Sequence, residues 1–413
     1  MNYEKKFSKV AKTAKASIIR ELLKVASEPE TISFGGGVPD PETFPREELG
    51  EIAAKIVKEE YKITLQYGPT EGDNELKNAY INLLKKHEGI EGVSPENMLI
   101  TVGSQQALQL IGLALLDEDS YCAVGKPVYL GAVSAFRQMF PKFMEIPLED
   151  DGMNVDILEE KLEELVTKGE IDKFKFVYVV PTFQNPAGVT MSLEKRKKLI
   201  NLAHKYDFLI LEDDPYGSLR FEGEPIPSIY SLDPERTVLL NTFSKILCPG
   251  LRIGIIVASK DLLRKLTILK QGVDLCTPSL TQRLAARYLQ AHDRIEQLKP
   301  TLELYKSKKD TMLKALEEEF GDMQGVSWTR PEGGLFIWLT FPEWVDTMEM
   351  FEEAKKNKVL YVPGEAFYVN EVEKNHMRLS FCLPSHEEIK EGIRRLRKVA
   401  ENYVNANSIR SKS

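Results

Sequence analysis

The chain has 413 residues, 42% of them hydrophobic, which is enough for one large or two ordinary domains with substantial cores. Its 55 Lys and Arg residues stand against 63 Asp and Glu residues, a formal net charge of −8. This balance argues against nucleic acid or an anionic membrane surface as the main partner. No stretch approaches the roughly 20 apolar residues of a membrane span, and residues 1–15 lack the apolar core of a signal peptide.

The cysteines and histidines do not indicate a metal site. The four cysteines are widely spaced without a Cys-x-x-Cys pair, and the five histidines form no pattern typical of metal ligands. We therefore expect reduced thiols in a cytoplasmic protein, and no bound metal.

In the middle of the chain, short apolar runs alternate with amphipathic helical patterns. The apolar runs predict strands at 98–102, 121–124, 176–180, 208–211, 237–240 and 253–258. Helical patterns lie between several of them, for example at 106–116 and 193–206. Strands that are buried on both faces and separated by helices are typical of a mostly parallel sheet, so we predict an α/β fold.

The character of the chain changes after about residue 290. A long charged helical pattern at 293–320 leads to a predicted strand at 333–339. The last helix opens with a capping box formed by Ser385 and Glu388. These elements predict a second, smaller α+β domain. We place the large domain at 49–292 and the small domain at 293–413, and expect the N-terminal segment 1–48 to join the small domain.

Two of the predicted strands end in small polar residues. In an open parallel sheet, ligands bind beyond the carboxyl ends of the strands. Strand 98–102 is followed by Gly103, Ser104 and Gln105 and then by a helix, an arrangement that suits a phosphate. A serine that merely caps the helix explains the same residues. Strand 176–180 is followed by a Pro- and Gly-containing turn that presents Asn185, where turn formation alone is the competing interpretation.

Strand 208–211 runs into three consecutive carboxylates, Glu212, Asp213 and Asp214. Such a group is self-repelling unless a cation neutralises it. A protonated pyridine nitrogen is one candidate cation; a divalent metal and a solvated turn are the alternatives.

Strand 237–240 leads to Ser244 and Lys245, with Arg252 a few residues further on. A buried ammonium is costly unless it is paired or used chemically. A Schiff base with the aldehyde of pyridoxal phosphate (PLP) is one such use, whereas a surface lysine that reaches solvent is the alternative. Arg252 supplies a fixed fork for a phosphate or carboxylate. Together the strand ends hold a phosphate cradle, a carboxylate for a ring nitrogen and an amine, which is what PLP requires.

With these residues the chain resembles the fold-type I PLP-dependent aminotransferases of class I/II. It is most similar to the branch of 2-aminoadipate (kynurenine) aminotransferases and the aminotransferases of lysine biosynthesis. The resemblance runs from about Ser17 to Phe381, and its motifs lie at 33–39, 65–72, 103–108, 127–131, 184–188, 212–216, 241–245 and 377–381.

The resemblance implies roles in holding the cofactor. Lys245 is the Schiff-base lysine and proton shuttle, Asp213 pairs with the ring nitrogen, and Tyr129 stacks on the ring. Asn185 and Tyr216 bind the phenolic oxygen of the ring. The phosphate is held by Ser104, Gln105, Ser244 and Arg252. Tyr67 reaches the same phosphate from the partner subunit of a homodimer.

The resemblance also implies the substrates. Arg378, with Asn185, binds the α-carboxylate of an L-amino acid, and Gly36 and Gly37 line the substrate side. The donor is 2-aminoadipate, glutamate, or an aromatic or aliphatic amino acid, and the acceptor is a 2-oxo acid such as 2-oxoglutarate. Segment 17–22 resembles a mobile helix that caps the substrate. Arg20 in this segment could pair with a distal carboxylate, although a surface arginine explains it nearly as well.

Three alternatives share the fold. A PLP-dependent C–S β-lyase would use the same lysine for elimination. A PLP-binding transcription regulator would carry an N-terminal winged helix, and only about 15 residues precede the matched region here. A non-catalytic relative would be expected to lack Lys245 or Asp213, and both are present.

Overall fold

The structure, a computed structural model, describes residues 1–14, 26 and 28–410. Its strands are β1 (Ile32–Ser33), β2 (Met98–Val102), β3 (Tyr121–Lys126), β4 (Lys142–Glu149), β5 (Gly152–Met153), β6 (Phe174–Val179), β7 (Leu209–Asp213), β8 (Thr237–Thr242), β9 (Ile253–Val257), β10 (Ser327–Trp328), β11 (Phe336–Thr340), β12 (Val359–Leu360), β13 (Val362–Pro363) and β14 (His376–Ser380). Its α-helices are α1 (Lys9–Thr13), α2 (Arg46–Glu59), α3 (Tyr61–Thr64), α4 (Asn74–Leu83), α5 (Gly103–Leu115), α6 (Leu130–Phe136), α7 (Val155–Thr167), α8 (Leu193–Tyr206), α9 (Ile229–Leu232), α10 (Lys260–Val273), α11 (Ser279–Ala291), α12 (Arg294–Phe320), α13 (Thr347–Lys356) and α14 (His386–Arg410). Among these helices, none combines the length and apolar character that crossing a bilayer requires.

An eight-stranded sheet dominates the fold, in the order β2-β9-β8-β7-β6-β3-β4-β5. The pairs from β8 through β4 are parallel, whereas β9 is antiparallel to both of its neighbours and β5 is antiparallel to β4. Helices cross over between the parallel strands, but the connection 243–252 between β8 and β9 contains no α-helix. A connection without a crossover favours antiparallel pairing. The predicted mostly parallel α/β sheet is confirmed.

All six strands predicted for the middle of the chain are present; β2 has the predicted bounds, and the other five have shifted ends. β7 extends to Asp213 because the parallel ladder with β8 continues and pairs Asp213 with Leu240. β8 extends to Thr242 because its antiparallel ladder with β9 continues and pairs Thr242 with Gly254. Asp213 is therefore the last residue of β7, and Thr242 is the last residue of β8, each two residues beyond the predicted end of its strand. The helix predicted at 106–116 begins earlier, at Gly103, and the helix predicted at 193–206 has those bounds. The edge strand β5 and its neighbour β4 were not predicted.

A second sheet lies in the C-terminal part of the chain. Its strands follow the order β10-β11-β14-β13 and are all antiparallel. The strand predicted at 333–339 is β11 and begins only at Phe336. Gly334 precedes it at a φ of +73°, packed against Phe183. The last helix has the predicted capping box, since the Ser385 N–H donates to Glu388 Oε2 at 2.7 Å.

The N-terminal segment is joined to this second sheet region. β1 pairs in parallel with β12, with Ile32 opposite Val359 and Ser33 opposite Leu360. Beyond β1, the Ser380 N–H at the end of β14 donates to Phe34 O at 2.8 Å. These bonds carry the glycine-rich segment 35–37 from the N-terminus to the end of β14, close to Arg378.

Candidate active site

Most of the predicted site residues, though not Tyr67 or Arg20, converge at the carboxyl ends of β6, β7 and β8. The N-terminus of α5 meets this edge from one side, and β14 approaches it with Arg378 from the other. A helix N-terminus, three strand ends and an arginine thus surround one space. This is the position at which open α/β sheets bind ligands.

Lys245 lies in the loop after β8 and is half-buried. Its Nζ donates to Gly37 O at 2.6 Å. Burial lowers the pKa of Lys245 from its usual 10.5 to about 8, and the nearby positive charges of Arg378 and Arg252 act in the same direction. The amine is therefore much more often neutral than an ordinary lysine near pH 7, as a nucleophile or base must be.

The hydroxyls before Lys245 are held by the end of β8. Thr242 Oγ1 donates to Ile253 O at 3.1 Å and lies 3.0 Å from Ser244 Oγ. Arg252 Nη1 approaches the same Ser244 hydroxyl at 3.4 Å. A serine hydroxyl and a guanidinium thereby face one point, as an anion site requires.

The N-terminus of α5 completes this anion site. Val102 occupies the capping position and no side chain caps the helix, so the interpretation of Ser104 as a plain N-cap is wrong. Gly103 has a φ of +70°, and a Cβ on it would lie 2.3 Å from Arg252 Nη2. The guanidinium is therefore pressed against the first turn, where backbone N–H groups attract an anion. The Gln105 side chain is exposed and its Nε2 donates to Gly131 O at 2.8 Å.

The three carboxylates at the end of β7, Glu212, Asp213 and Asp214, do not share a site. Glu212 accepts the N–H groups of Ile229 and Tyr230 at 2.9 and 2.7 Å. Asp214 accepts the Gly217 N–H at 2.8 Å. Successive side chains of a strand point to opposite faces, so the carboxylates separate without a shared cation. Among the described residues, no group of three or more His, Cys, Asp and Glu is placed to hold a metal.

Asp213 is the carboxylate that faces the site. Its Oδ2 accepts the Tyr178 hydroxyl at 2.7 Å, while its Oδ1 is buried and has no hydrogen-bond partner in the described part of the chain. Burial raises the pKa of Asp213 to about 7, against the opposing effect of the Tyr178 hydrogen bond. A buried acceptor without a donor is rare in a folded protein. The protonated nitrogen of a pyridine ring is a donor of the kind that Oδ1 lacks, so these residues fit PLP.

Arg378, Asn185 and Tyr216 form one buried chain of hydrogen bonds. Arg378 Nη1 donates to Asn185 Oδ1 at 2.9 Å, and Asn185 Nδ2 donates to the Tyr216 hydroxyl at 3.4 Å. The guanidinium carbon lies 4.2 Å from the ring centroid of Phe336 and 5.1 Å from that of Phe367. Burial lowers the pKa of Arg378 to about 10, which leaves it charged near neutral pH, and its Nε is buried without a partner among the described residues. A flat, desolvated guanidinium is suited to a carboxylate.

The remaining predicted residues differ in their placement. Tyr129 opens α6 at the edge of the site, and burial raises the pKa of its phenol. A Cβ on Gly37 would lie 3.1 Å from the Phe336 ring, whereas one on Gly36 would meet only Val38, at 3.5 Å. Tyr67 is 79% exposed and lies on the surface of the chain. Arg20 lies outside the described residues.

Several residues that support the site were missed in the sequence. Tyr178 and Phe336 lie in predicted strands, but nothing local indicates that they face Asp213 and Arg378. Arg196 lies in a Lys-rich helix and was not singled out in the sequence, yet it is 1% exposed. Its Nη2 donates to Pro181 O and Thr182 Oγ1, both at 3.0 Å, and so holds the turn that leads to Asn185. An arginine among lysines at an inward helical position was the available signal.

Comparison with known proteins agrees with this geometry. The family model described as aminotransferase class I and II matches residues 32–396, so the chain belongs to this family. The aromatic-amino-acid aminotransferase 1 of Thermococcus litoralis is 48% identical over 397 residues, which cover 96% of this chain and 94% of that protein.

Two solved structures extend the comparison to the cofactor. The kynurenine aminotransferase of Pyrococcus horikoshii, in complex with PMP, has a TM-score of 0.92 and 45% identity, covering 97% of this chain and 98% of that one. The α-aminoadipate aminotransferase of Thermus thermophilus, complexed with N-(5′-phosphopyridoxyl)-L-leucine, has a TM-score of 0.89 and 37% identity, covering 98% and 100%. The protein is a fold-type I aminotransferase that uses PLP, and these findings give no support to a β-lyase.

Proposed function

We propose that Lys245 carries the cofactor as a Schiff base, and that the enzyme transfers the amino group of aromatic L-amino acids and of 2-aminoadipate to a 2-oxo acid such as 2-oxoglutarate. The observation that carries the proposal is the pairing of a half-buried amine, with a pKa of about 8, and the buried unpartnered Oδ1 of Asp213. Asp213 ends β7 and Lys245 follows the neighbouring strand β8, so both groups lie at the carboxyl edge of the large sheet. A pyridine ring held covalently by the lysine requires such a carboxylate nearby for its nitrogen.

The residues divide the work of holding the ring. Asp213 Oδ1 would accept a hydrogen bond from the protonated ring nitrogen, and its negative charge would keep that proton on the ring. Asn185 Nδ2 and the Tyr216 hydroxyl donate to the phenolic oxygen, and Tyr129 stacks on the ring face. The phosphate is bound by Ser104, Gln105, Ser244 and Arg252.

The catalytic step follows from the position of the lysine. PLP, when bound, withdraws electrons from the substrate Cα and makes its proton acidic. Once the amino group of the substrate has displaced Lys245 from the cofactor, the freed Nζ would take this proton as a general base and would later return a proton as a general acid. Arg378 holds the α-carboxylate, so the Cα hydrogen is presented to the amine, and Gly37 O orients the amine through their 2.6 Å hydrogen bond. Gly36 and Gly37 leave room for the substrate on that side.

The choice of donors rests on the named relatives. One is named for aromatic amino acids, another for kynurenine and a third for α-aminoadipate. A site that accepts both aromatic and dicarboxylic side chains needs an adaptable cover, and segment 17–22 with Arg20 is our candidate. Arg20 would then pair with the distal carboxylate of 2-aminoadipate or glutamate.

A donor panel tests this proposal. The yellow holoenzyme is mixed with L-phenylalanine, L-kynurenine, 2-aminoadipate or L-glutamate alone, and loss of its visible absorbance is followed. We expect conversion with aromatic donors and 2-aminoadipate, and none in Lys245→Ala. Arg20→Ala should lose dicarboxylic donors selectively, with Lys24→Ala as the control at a nearby cation in the sequence. If no donor converts the holoenzyme, the proposed donors are wrong; if Arg20→Ala keeps its preferences, Arg20 has no such role.

We also infer a homodimer with shared active sites. Large apolar side chains are exposed along 61–67, including Leu65 at 64%, Tyr61 at 52% and Ile63 at 48%. Such a patch favours contact with another protein surface. Tyr67 extends from it and would reach the phosphate of the partner subunit. Light scattering should give the mass of a dimer, and Tyr67→Phe should weaken PLP binding while Tyr3→Phe, at a similarly exposed tyrosine, does not.

The domain boundaries 1–48, 49–292 and 293–413 are part of the proposal. They are supported by the separation of the eight-stranded from the four-stranded sheet and by the pairing of β1 with β12. A cytoplasmic location is supported by the four cysteines, which are all free thiols. Limited proteolysis should cut preferentially near residues 292–293 if the second boundary is correct.

A further inference from the structure

Lys308 is a buried ammonium on α12, away from the groups assigned to catalysis. Its side chain is 4% exposed, and its Nζ lies 2.7 Å from Asp40 Oδ2. The same Nζ donates to Cys382 O at 2.7 Å and approaches Leu383 O at 3.5 Å. An ammonium can remain buried only where its hydrogens have acceptors, and here each has one. The lysine is therefore fixed in one position.

The partners of Lys308 belong to the two segments that frame the substrate. Asp40 ends the segment 34–40, which contacts both proposed catalytic groups. In this segment Gly35 O accepts a hydrogen bond from Arg378 Nη2 at 2.8 Å, and Gly37 O accepts one from Lys245 Nζ at 2.6 Å. Cys382 follows β14, the strand that carries Arg378. Lys308 thus ties the segment that touches the amine to the strand end that positions the guanidinium.

A second group on α12 supports the same contact. The Asp40 N–H donates to the Tyr305 hydroxyl at 2.8 Å, and Tyr305 is fully buried. Tyr305 and Lys308 are three residues apart and so lie on one face of the helix. Asp40 is held by its backbone and its side chain at once, so the far end of segment 34–40 has little freedom.

We propose that Lys308, through Asp40, is a positioning residue that sets the separation between the Lys245 amine and the Arg378 guanidinium. The inference rests on the proposed roles of these two residues. The α-carboxylate of the substrate is anchored on Arg378 and its Cα hydrogen must reach Lys245 Nζ. A change in their separation misplaces the hydrogen, and a misplacement of about 1 Å can cost about 100-fold in rate.

Lys309 offers a matched control on the same helix. Its side chain is 2% exposed, and its Nζ lies 2.8 Å from Glu222 and 3.2 Å from Asp310. Neither carboxylate contacts segment 34–40. Lys309→Met removes an equally buried ammonium but leaves the contacts of segment 34–40 intact. It therefore shows how much rate is lost when a buried ion pair of this helix is removed and nothing else changes near the site.

The experiment compares Lys308→Met, Lys308→Arg, Asp40→Asn and Lys309→Met as holoenzymes in single turnovers with L-phenylalanine and its α-deuterated form. We expect Lys308→Met to slow the half-reaction about 10- to 100-fold and to raise the primary isotope effect, since proton transfer is the impaired step. Lys308→Arg should restore part of the rate. Lys309→Met should keep the wild-type rate and isotope effect.

Other outcomes overturn the inference. A folded Lys308→Met with the wild-type rate and isotope effect refutes it, as does an equal loss in Lys308→Met and Lys309→Met. If Lys308→Met does not fold, Asp40→Asn carries the same test, because it leaves Lys308 its two carbonyl acceptors. Peptide mapping of the borohydride-reduced holoenzyme is done in parallel. If the cofactor is not on Lys245, the proposed function fails, whatever the Lys308 variants do.

Discussion

The lowered pKa of Lys245 predicts how the apoenzyme takes up its cofactor. Only the neutral amine attacks the aldehyde of PLP. A pKa of about 8 in place of 10.5 makes the neutral fraction near pH 7 about 300-fold larger, because each pKa unit is a factor of ten. The rate of covalent loading should therefore rise about tenfold per pH unit at low pH and level off near pH 8.

The assay follows the visible absorbance of the bound cofactor after apoenzyme is mixed with PLP at a series of pH values. Nα-acetyl-lysine amide under the same conditions corrects for the titration of PLP itself, and Lys245→Ala shows that the signal comes from this lysine. A midpoint near 10.5 in the wild-type enzyme would refute the reasoning, since it would mean that burial does not disfavour the charged amine.

The cause of the shift can be separated with one variant. Burial is the largest contribution to the lowered pKa of Lys245, and the charge of Arg378 is a smaller one. Arg378→Gln should therefore move the midpoint upward while leaving it well below 10.5. A midpoint that moves fully to 10.5 would show that charge, and not burial, dominates.

Three further predictions concern the surroundings of the cofactor. Tyr178→Phe removes the 2.7 Å hydrogen bond to the aspartate at the end of β7, and should weaken PLP binding by about 1.5–3 kcal/mol in an equilibrium titration of the apoenzyme; unchanged affinity would remove Tyr178 from the cofactor site. Gly103→Ala places a Cβ 2.3 Å from a guanidinium nitrogen and should lower PLP affinity, whereas Gly89→Ala, at a similar positive φ but with nothing within 4 Å, should cost only stability; equal PLP affinities would contradict this. Arg196→Met removes the side-chain donor of Met191 O and of Pro227 O and should lower the free energy of unfolding in urea by more than about 2 kcal/mol. Lys197→Met at the exposed neighbouring position should not lower it, and equal losses would refute the assignment.

Much of the fold followed from local pattern. The apolar runs at 98–102 and 237–240 predicted strands because residues buried on both faces are continuous in sequence. The ends of the strands did not follow from local pattern, because a strand continues for as long as the neighbouring strand offers residues to pair with. Asp213 pairs with Leu240, and this pairing, which no local pattern shows, lengthened β7.

The supporting residues were beyond the reach of the sequence. Tyr178 meets Asp213 because β6 lies beside β7, and Lys308 meets Asp40 across most of the chain. Lys308 looks in the sequence like one more charge on a solvated helix. Its burial is decided by what packs on that face, and packing is a property of the assembled fold.

The sequence by itself determined the chemical inventory near the predicted strand ends: an amine at Lys245, a run of carboxylates at 212–214 and an arginine at Arg252, whereas Arg378 entered through the family resemblance. These are covalent and local facts. Only the tertiary structure decided that Glu212 and Asp214 are bonded elsewhere while Asp213 Oδ1 is buried without a partner among the described residues. It also decided that the Lys245 amine is largely desolvated and that Lys308 holds the segment beside it. The physical reason is that the burial and the pKa of a side chain depend on which groups from distant parts of the chain pack around it. Those neighbours are determined only when the strands and helices pack together.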